Sequence, residues 1–524
     1  MHDANLEVLS LPSPLGETAP VEQVLRKTPW WSVSLGIHVL LALLLGWFWV
    51  VQARDPEEVI AEIEPFRRTV PVRWMDSPPE RDTQKRPPLD LPRRAAETYF
   101  KKDPNSDHVE TADEQEFEKA QDDSLDFVGD KPFKGRGIGD TIGTGPNGGG
   151  RYGQRLSGKR DLWGIGGGSP QTEDAVLQAL KWLSRHQNPD GSWSTAGYVK
   201  NCKEPCLPAP GHEDFDGGNT GLAILAFLGA GYSHLSKDTY DGICFGDVVR
   251  KGLQWMMAHQ DPEGCIGSRN AQKYMYNHTI CALAMSEAYG LTGSNLFKDQ
   301  AQKAVDFVIA AQNPGKGWRY SFRCGDNDSS VTGWAVMVLK SAELSALSFP
   351  RTGYDGARAW YDEVTEESYP HVGYDRRGTG KVYVPGVNEH FEDHPALTAI
   401  GVMCRLFMDR RRGDPRLSMG CDLLLKDLPK WEGNWIDFYY WYYASLALFQ
   451  YDGPSGPKWK GWNEPMKEAL VPRQNRAGSG CRRGSWEPVD RWSCEGGRVY
   501  ATAINALTLE VYYRYPVQFA VRKG

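Results

Sequence analysis

Acidic and imidazole side chains stand at or just before the start of several hydrophobic segments of this chain. Asp216, His278, Asp328 and His394 each occupy such a position, and Asp326 adds a carboxyl two residues before Asp328. If these segments are helices whose N-termini converge on one mouth, the side chains gather there. A mixture of carboxyl and imidazole groups suits acid–base catalysis or ligand binding.

A structural explanation competes with the catalytic one at each of these positions. An aspartate before a helix is a common N-cap, which accepts backbone N–H bonds and is stabilised by the helix dipole. Such bonds lower the pKa of a carboxyl, whereas an acid catalyst needs a raised one. His278, next to Asn277, is equally explained as a hydrogen-bonded structural group at a helix start. Both interpretations stay open for Asp216, His278 and Asp328.

The elements that position these residues include a repeated amphipathic helix with a characteristic ending. It occurs three times, as ALKWLSRHQNPDGSW (179–193), GLQWMMAHQDPEGCI (252–266) and AVDFVIAAQNPGKGW (304–318). Pro ends the helix, Gly permits a tight reversal, and the last apolar residue can fold back on the helix end. Gln187, Gln260 and Gln312 are placed to bond the carbonyls that the helix ends leave free.

Very apolar segments rich in small residues alternate with the amphipathic ones, and they must be buried on nearly all sides. Six such inner helices are predicted, near 218–232, 276–290, 329–344, 394–408, 437–451 and 499–513, and three further outer helices near 353–366, 416–429 and 460–471. Six outer and six inner helices predict an all-α fold, a closed (α/α)6 toroid of six helical hairpins around a central cavity. An open helical solenoid is the alternative.

Aromatic side chains are candidates for the wall of that cavity. Trp334, Tyr276 and Tyr500 begin or line inner helices, and five consecutive aromatics occupy 439–443. Successive residues of a helix point 100° apart, so only about two of the five can face the cavity. Tyr440 and Trp441 are assigned to it here, although core packing explains each residue equally well.

The N-terminal third predicts a membrane tether. Residues 1–29 form a short tail, and 30–52 carry no charged side chain and have tryptophans near both ends. The 22 residues from Trp30 to Val51 span roughly 33 Å as a helix, enough to cross a bilayer. A cleaved signal peptide is the alternative. Residues 53–160, rich in proline, acidic residues and glycine, predict a disordered linker to a folded domain over 165–520. The layout predicts a single-pass protein of a bacterial inner membrane with this domain in the periplasm.

Composition limits the remaining classes of function. A net charge of -7 excludes a generally basic nucleic-acid binder. All 10 cysteines lie between Cys202 and Cys494, so they belong to the folded domain. Cys202 and Cys206, in a proline-rich loop, are the best candidates for a disulfide. The sequence contains no CxxC pair of the kind that binds zinc.

The sequence resembles the squalene–hopene cyclase-like proteins of the terpenoid cyclase/protein prenyltransferase superfamily, especially membrane-tethered prenyltransferase/squalene-oxidase-repeat proteins. QNPDGSW matches the QxxxGxW motif of the cyclases, and the likeness covers about 170–515. In that family, DxDD at the start of an inner helix supplies the proton donor. GDNDSSVTGW (325–334) is its nearest equivalent, so the resemblance implies Asp328 as donor and Asp326 as its partner, with Ser329 in place of the third aspartate. DFDGG, with Asp216, is a second partial match.

The resemblance implies no cofactor and no metal ion. The prenyltransferase branch holds zinc with an aspartate, a cysteine two residues later and a distant histidine, but here Cys324 precedes Asp326, in the reverse order.

Three functions are therefore open. The first is a cyclase-like enzyme that acts on or binds a polyprenyl or other hydrophobic lipid. The second is a non-catalytic binding or assembly module that uses the toroid mouth to contact a protein partner. The third is a carbohydrate-active (α/α)6 enzyme. Paired carboxylates in an open aromatic cleft would favour this function.

Overall fold

A computed structural model describes residues 38, 155, 166–204, 206–368, 370–378, 395–409, 413–476 and 478–515. The predicted tail 1–29, the predicted span 30–52 except His38, and the predicted linker 53–160 except Arg155 lie outside these residues. Among the described residues, no helix is both long and apolar enough to cross a membrane.

Six amphipathic helices occur in the described part of the chain, close to where the sequence predicts them. The first begins behind a capping box, in which Ser169 and Thr172 bond each other's backbone N–H, and Pro170 occupies its first turn. Each of the six buries one face and leaves the other to solvent. They are α1 (Pro170–Arg185), α3 (Phe245–Ala258), α5 (Asn295–Ala311), α7 (Thr352–Val364), α9 (Pro415–Leu424) and α11 (Pro457–Leu470).

Six apolar helices alternate with them, and nearly all of their described side chains are buried. They are α2 (Asp216–Gly229), α4 (Tyr274–Thr292), α6 (Ser329–Leu344), α8 (Ala396–Asp409), α10 (Phe438–Asp452) and α12 (Ser493–Leu509). A short α13 (Val511–Arg514) follows, and a two-stranded antiparallel hairpin, β1 (Thr239–Tyr240) with β2 (Ile243–Cys244), precedes α3. The prediction of a mostly helical protein is confirmed.

The packing order of the apolar helices is sequential. Each packs on the next, from α2 through α4, α6, α8 and α10 to α12, and α12 packs on α2. Each amphipathic helix packs on the outside of this series: α3 on α2, α5 on α4, α7 on α6, α9 on α8 and α11 on α10, while α1 packs on α12 and more weakly on α2. The apolar helices are therefore the inner layer.

The repeated turn joins neighbouring outer helices through its glutamine. The Gln187 amide donates to the carbonyl of Gly191 in its own turn at 3.0 Å and to that of Val248 in α3 at 2.9 Å. Gln260 and Gln312 make the same pair of bonds with their own turn and with the next outer helix. The predicted bonds to helix-end carbonyls are thus shared with the following repeat.

Glycine and tryptophan complete this turn. Gly191 has φ +96°, and a Cβ there would lie 2.2 Å from the carbonyl oxygen of Lys251, so no other residue fits without displacement. The indole N–H of Trp193 folds back to the carbonyl of Leu183 at 2.8 Å, and that of Trp318 to Val308 at 2.7 Å. The turn is a packing device between hairpins.

A fourth copy of the turn, which the sequence analysis missed, joins the last hairpin to the first. Gln474 donates to the carbonyl of Gly484 at 2.9 Å and to that of Ala175 in α1 at 2.7 Å. The indole of Trp486 returns to Leu470 at 2.9 Å. Ten residues separate this glutamine from its glycine, against four in the first copy, which hides the motif in the sequence.

A buried ion-pair network lies near the C-terminal ends of the inner helices. Glu287 of α4 pairs with Arg155 at 2.8 Å and with Arg514 at 3.3 Å, and all three side chains are fully buried. Tyr515 donates to the same carboxylate at 2.6 Å. Arg155 belongs to the predicted linker, so at least this linker residue is part of the folded domain.

Candidate functional site

The starts of the inner helices reuse one local arrangement. In the first repeat, Thr220 of α2 accepts the backbone N–H of Trp193 at 3.0 Å, and in the third, Thr332 of α6 accepts that of Trp318 at 3.0 Å. Asp216 and Asp328 each lie four residues before that threonine, so they occupy equivalent positions. Their environments nevertheless differ.

Asp328 is fully buried and caps α6. Its Oδ1 accepts the backbone N–H of Val331 at 2.7 Å, and its Oδ2 accepts the hydroxyl of Tyr374 at 3.1 Å. The guanidinium Nε of Arg319 lies 3.9 Å from Oδ2. The Tyr374 and Tyr320 hydroxyls are 2.5 Å apart, which continues the hydrogen-bond chain towards the neighbouring aromatic residues.

Burial raises the pKa of Asp328 to about 6. The cap bonds, Arg319 and Tyr374 all favour the charged form, but together they offset only part of the desolvation cost. The expectation that helix capping would leave this carboxyl with a lowered pKa is therefore wrong, because it ignored complete burial. Near neutral pH the group can be present as acid or as base.

Hydroxyl-bearing side chains extend from Asp328 across the inner layer. The Tyr276 hydroxyl donates to Ser330 at 2.7 Å, and the Ser330 and Tyr439 hydroxyls lie 2.7 Å apart. The rings of Tyr276 and Tyr320 are 6.0 Å apart. Tyr276, Tyr320 and Tyr439 are only half-buried although they lie on or beside inner helices, so they border a solvent-accessible space.

Two further buried carboxyls lie beyond Tyr439. Asp437 caps α10 by accepting the N–H of Tyr440 at 2.8 Å, and Arg491 lies 3.4 Å from its Oδ2. Asp490 accepts the N–H of Phe438 at 3.2 Å and the hydroxyl of Tyr500 at 3.3 Å.

Burial raises the pKa of both carboxyls. For Asp490, burial and then the negative charge of Asp437 raise it to about 7. The sequence analysis missed this pair, although Asp437 stands directly before an inner helix as Asp328 does.

The predicted site residues are not all brought together. Asp216 is half-buried, and its carboxylate accepts both the N–H and the hydroxyl of Thr195 at 2.7 Å. It therefore holds the loop before α2 in place. Asp326 is exposed, and its backbone carbonyl accepts bonds from Asn313 at 2.6 Å and from the Cys324 thiol at 3.4 Å. Among the described residues, no hydrogen bond or ion pair links either carboxyl to Asp328.

His278 replaces the threonine of the neighbouring repeats. Its Nδ1 accepts the backbone N–H of Ile266 at 3.0 Å, and its Nε2 donates to the carbonyl of Ala304 at 3.2 Å. Complete burial lowers its pKa to about 4, which keeps the ring neutral. Both nitrogens serve the backbone, so the structure places His278 in the structural role. His394 lies outside the described residues.

The aromatic candidates divide into two groups. Trp334 lies within 6.4 Å of the ring of Tyr439 and 5.7 Å of that of Tyr443, and Tyr500 bonds Asp490, so these predicted residues adjoin the carboxyl sites. Tyr440 instead bonds the carbonyl of Leu424 at 3.0 Å, behind the inner layer. The predicted assignment of Tyr440 to the cavity was out of phase by one residue.

Trp441 is the other member of the aromatic run whose predicted place differs from the observed one. It packs on Phe438 and Trp431 rather than on the ring of Trp334. Tyr439 and Tyr443, spaced one turn apart, occupy the face that the prediction gave to Tyr440 and Trp441.

The arrangement as a whole is an aromatic and hydroxyl-rich surface with buried carboxyls at both ends. Asp328, with a pKa near 6, can donate or accept a proton near neutrality. The ring faces beside it can stabilise a cation. Among the described residues, the group with metal-ligating chemistry is a separate cluster of His186, Cys202 and Cys481.

Comparison with known proteins places this chain near the cyclases in sequence. No protein-family model matches it. The squalene–hopene cyclase of Zymomonas mobilis is 29% identical over 97 residues, which span 18% of this chain and 12% of the cyclase.

Solved structures give remote likenesses. The α-1,6-mannanase GH76A of Salegentibacter has 11% identity and a TM-score of 0.44, with 65% of this chain and 98% of that chain covered. A variant of the type II terpene cyclase MstE from Scytonema, in complex with geranylgeranyl dihydroxybenzoate, has 14% identity and a TM-score of 0.41, with 66% and 97% covered. Over the 97 matched residues, the sequence of this chain is similar to that of squalene–hopene cyclase, in agreement with the predicted resemblance.

Proposed function

We propose that this protein is a cyclase-like enzyme that protonates a polyprenyl or other hydrophobic ligand, with Asp328 as the proton donor. The observation that carries the proposal is the full burial of the Asp328 carboxyl, with a pKa near 6, beside half-buried tyrosine rings. A neutral carboxyl in a dry site is what proton transfer to an alkene requires, and aromatic faces stabilise the cation that forms.

The proposal includes a closed toroid whose inner helices surround the ligand. The packing of α12 on α2 supports closure, and so does the Gln474 bond from the last hairpin to Ala175 in the first. The open solenoid would leave the first and last hairpins without these contacts. The similarity to squalene–hopene cyclase supports a hydrophobic ligand.

Each group at the site has a defined part in this reaction. Asp328 gives its proton to the ligand and becomes a carboxylate, which Arg319, Tyr374 and the N–H of Val331 then stabilise. Ser329, which replaces the third aspartate of the cyclase motif, donates instead to the carbonyl of Gly373 at 2.7 Å. Donor strength here therefore depends on burial rather than on a neighbouring acid.

The buried carboxyls of Asp328 and Asp490 favour a second candidate, a carbohydrate-active enzyme. Glycosidic bond cleavage uses two carboxyl groups, one as acid and one as base or nucleophile, and this site has buried carboxyls at both ends of a tyrosine-lined surface. In that case Asp490, with the higher pKa, is the acid, and Asp328 is the partner.

We further propose that residues 30–52 anchor the protein in the membrane, with the helical domain on the periplasmic side. The support is the uncharged, tryptophan-flanked stretch itself. A membrane anchor suits a hydrophobic ligand that partitions into lipid.

The test is incubation of the full chain with squalene, with polyprenyl diphosphates and, separately, with α-1,6-linked mannan oligosaccharides. Wild type, Asp328→Asn and the exposed control Asp326→Asn are compared by mass spectrometry of products. A cyclised product from wild type and Asp326→Asn but not from Asp328→Asn is expected. Hydrolysed oligosaccharide would support the second candidate. A co-purified lipid without any product would instead support a non-catalytic binding module and overturn both enzymatic candidates.

A further inference from the structure

A histidine and two cysteines from distant parts of the chain meet at the junction of the first and last hairpins. The Nε2 of His186 lies 3.1 Å from the Sγ of Cys481 and 3.3 Å from that of Cys202, and the two sulfurs are 2.9 Å apart. His186 ends α1, Cys202 follows it by 16 residues, and Cys481 comes between α11 and α12. The two sulfurs and one imidazole nitrogen thus converge on a common point.

The imidazole is held in the orientation that a metal ligand needs. Its Nδ1 donates to the carbonyl of Trp182 at 2.7 Å, which leaves Nε2 as the unprotonated nitrogen that faces the two thiols. The ring stacks on the indole of Trp182 at 4.1 Å and meets the edge of Tyr198 at 5.8 Å. Since His186 is 1% exposed, its ring cannot turn away without disturbing this packing.

A fourth ligand is available on the same loop as Cys202. The Cys206 thiol is near enough to those of Cys202 and Cys481 to interact with both electrostatically. It also donates to the carbonyl of Leu207, a weak bond at 3.6 Å. Cys206 is half-buried and lies four residues after Cys202 on the same loop, which makes it the candidate fourth member of a set of three thiolates and one imidazole.

We propose that His186, Cys202, Cys206 and Cys481 bind a structural zinc ion. Zinc prefers tetrahedral sets of this composition, with Zn–S near 2.3 Å and Zn–N near 2.0–2.1 Å. Those lengths imply S···S separations of about 3.8 Å and S···N separations of about 3.6 Å. The observed distances are shorter by less than about 1 Å, so an ion enters once the three groups move apart by that small amount.

The surrounding charges suit such a site. Three thiolates and a neutral imidazole around Zn²⁺ carry a net charge of about -1. Arg185 and Arg498 interact electrostatically with His186, Arg498 also with Cys202, and Arg185 also with Cys481. These two cations can offset the negative charge of the occupied site.

The position of the site indicates its role. Cys481 lies in the extra residues that separate Gln474 from Gly484 in the fourth turn, so this insertion supplies one ligand. The other three ligands come from the first hairpin and the loop after α1. A bound zinc ion therefore joins the two ends of the helical series, alongside the Gln474 bond to Ala175.

A disulfide is the competing fate of these thiols. The structure shows all ten cysteines free, so the predicted disulfide between Cys202 and Cys206 is not formed. Oxidation of any two of the three cysteines would remove two thiolate ligands from the set. Zinc content and disulfide content are therefore mutually exclusive readouts.

The experiment uses the full chain, purified in detergent with a reductant and supplied with ZnSO₄, then freed of loose metal. We expect about one zinc per chain by elemental analysis. Replacement by Co²⁺ should give the visible absorption bands of tetrahedral cobalt with sulfur-to-metal charge transfer. Cys481→Ser should lose the metal, whereas the matched control Cys494→Ser, whose thiol is exposed and outside the cluster, should keep it.

Thermal unfolding supplies a readout independent of the variants. Removal of zinc from wild type by a strong chelator should lower Tm, and re-addition of zinc should restore it. Wild type that takes up neither zinc nor cobalt under these conditions overturns the proposal. A disulfide between Cys202 and either Cys481 or Cys206 would also overturn it. Such a bond would be detected by peptide mass mapping of protein purified without reductant, and it would have to resist reduction while the protein is folded.

Discussion

Replacement of Asp328 by asparagine should stabilise the protein at pH 8 and leave its stability almost unchanged at pH 4. Asparagine caps a helix as well as aspartate does, so the bond from the N–H of Val331 is kept. It carries no ionisable proton, and therefore avoids the cost of a buried negative charge. The substitution isolates that cost from the packing around it.

The magnitude follows from the pKa of Asp328, which rises from 3.8 to about 6 on folding. A raised pKa means that the folded state holds the proton more tightly, so this group favours folding below pH 3.8 and loses that contribution as pH rises to about 6. The full shift corresponds to about 3 kcal/mol of unfolding free energy above pH 6. At pH 4 the difference between the two proteins falls to about 0.5 kcal/mol.

The assay is urea unfolding of wild type and Asp328→Asn from pH 4 to pH 8, followed by tryptophan fluorescence. The gain in unfolding free energy of the variant should grow by about 2 kcal/mol over this range. Asp326→Asn is the control, because it makes the same change at an exposed carboxyl two residues away. A difference between Asp328→Asn and wild type that stays constant with pH would refute the raised pKa of Asp328, and with it the basis of the proposed proton donor.

Three further substitutions test the site and its frame. Tyr374→Phe removes a donor to the Asp328 carboxylate, so the pKa of Asp328 should rise by about 0.5–1 unit, seen as a shift in the pH dependence of unfolding. His278→Thr keeps an acceptor for the N–H of Ile266, as in the neighbouring repeats. Catalytic activity should persist, while the free energy of unfolding falls by about 1–2 kcal/mol because the smaller side chain leaves a cavity. A loss of turnover at unchanged stability would contradict the structural role of His278. Gln474→Ala should lower the unfolding free energy by about 1–3 kcal/mol in urea titration; an unchanged midpoint would show that its bonds between the last and first hairpins are dispensable.

The turns that end the amphipathic helices could be predicted because each depends on a short stretch of sequence. The Gln–Pro–Gly–Trp endings lie within seven consecutive residues, and the structure places Trp193 and Trp318 on their helix ends as expected. The fourth turn could not be predicted, since its glutamine and glycine are ten residues apart. Its identity becomes visible only when Gln474 is seen to bond Ala175, almost 300 residues away.

The site itself depends on burial, which no short pattern encodes. The residue types around Asp328 suggest a helix cap, and the structure shows that it is one. Its raised pKa comes from complete burial against the inner helices, which exclude water from the carboxyl, whereas the hydrogen bond from Tyr374 acts in the opposite direction. The cluster of His186, Cys202 and Cys481 was missed for a similar reason, because its members are separated by up to 295 residues and no CxxC pair marks them.

Repetition of one backbone arrangement explains how a structural position acquires chemistry. The position four residues before the Trp-binding threonine holds Asp216 in the first repeat and Asp328 in the third. Asp216 is half-buried, and its side chain accepts two hydrogen bonds from Thr195. Asp328 has a similar number of partners but no access to water, and burial then outweighs the bonds it accepts. Whether an aspartate at this position serves as a structural hydrogen-bond acceptor or as a candidate acid therefore depends on how fully the surrounding residues bury it, and not on the residue type.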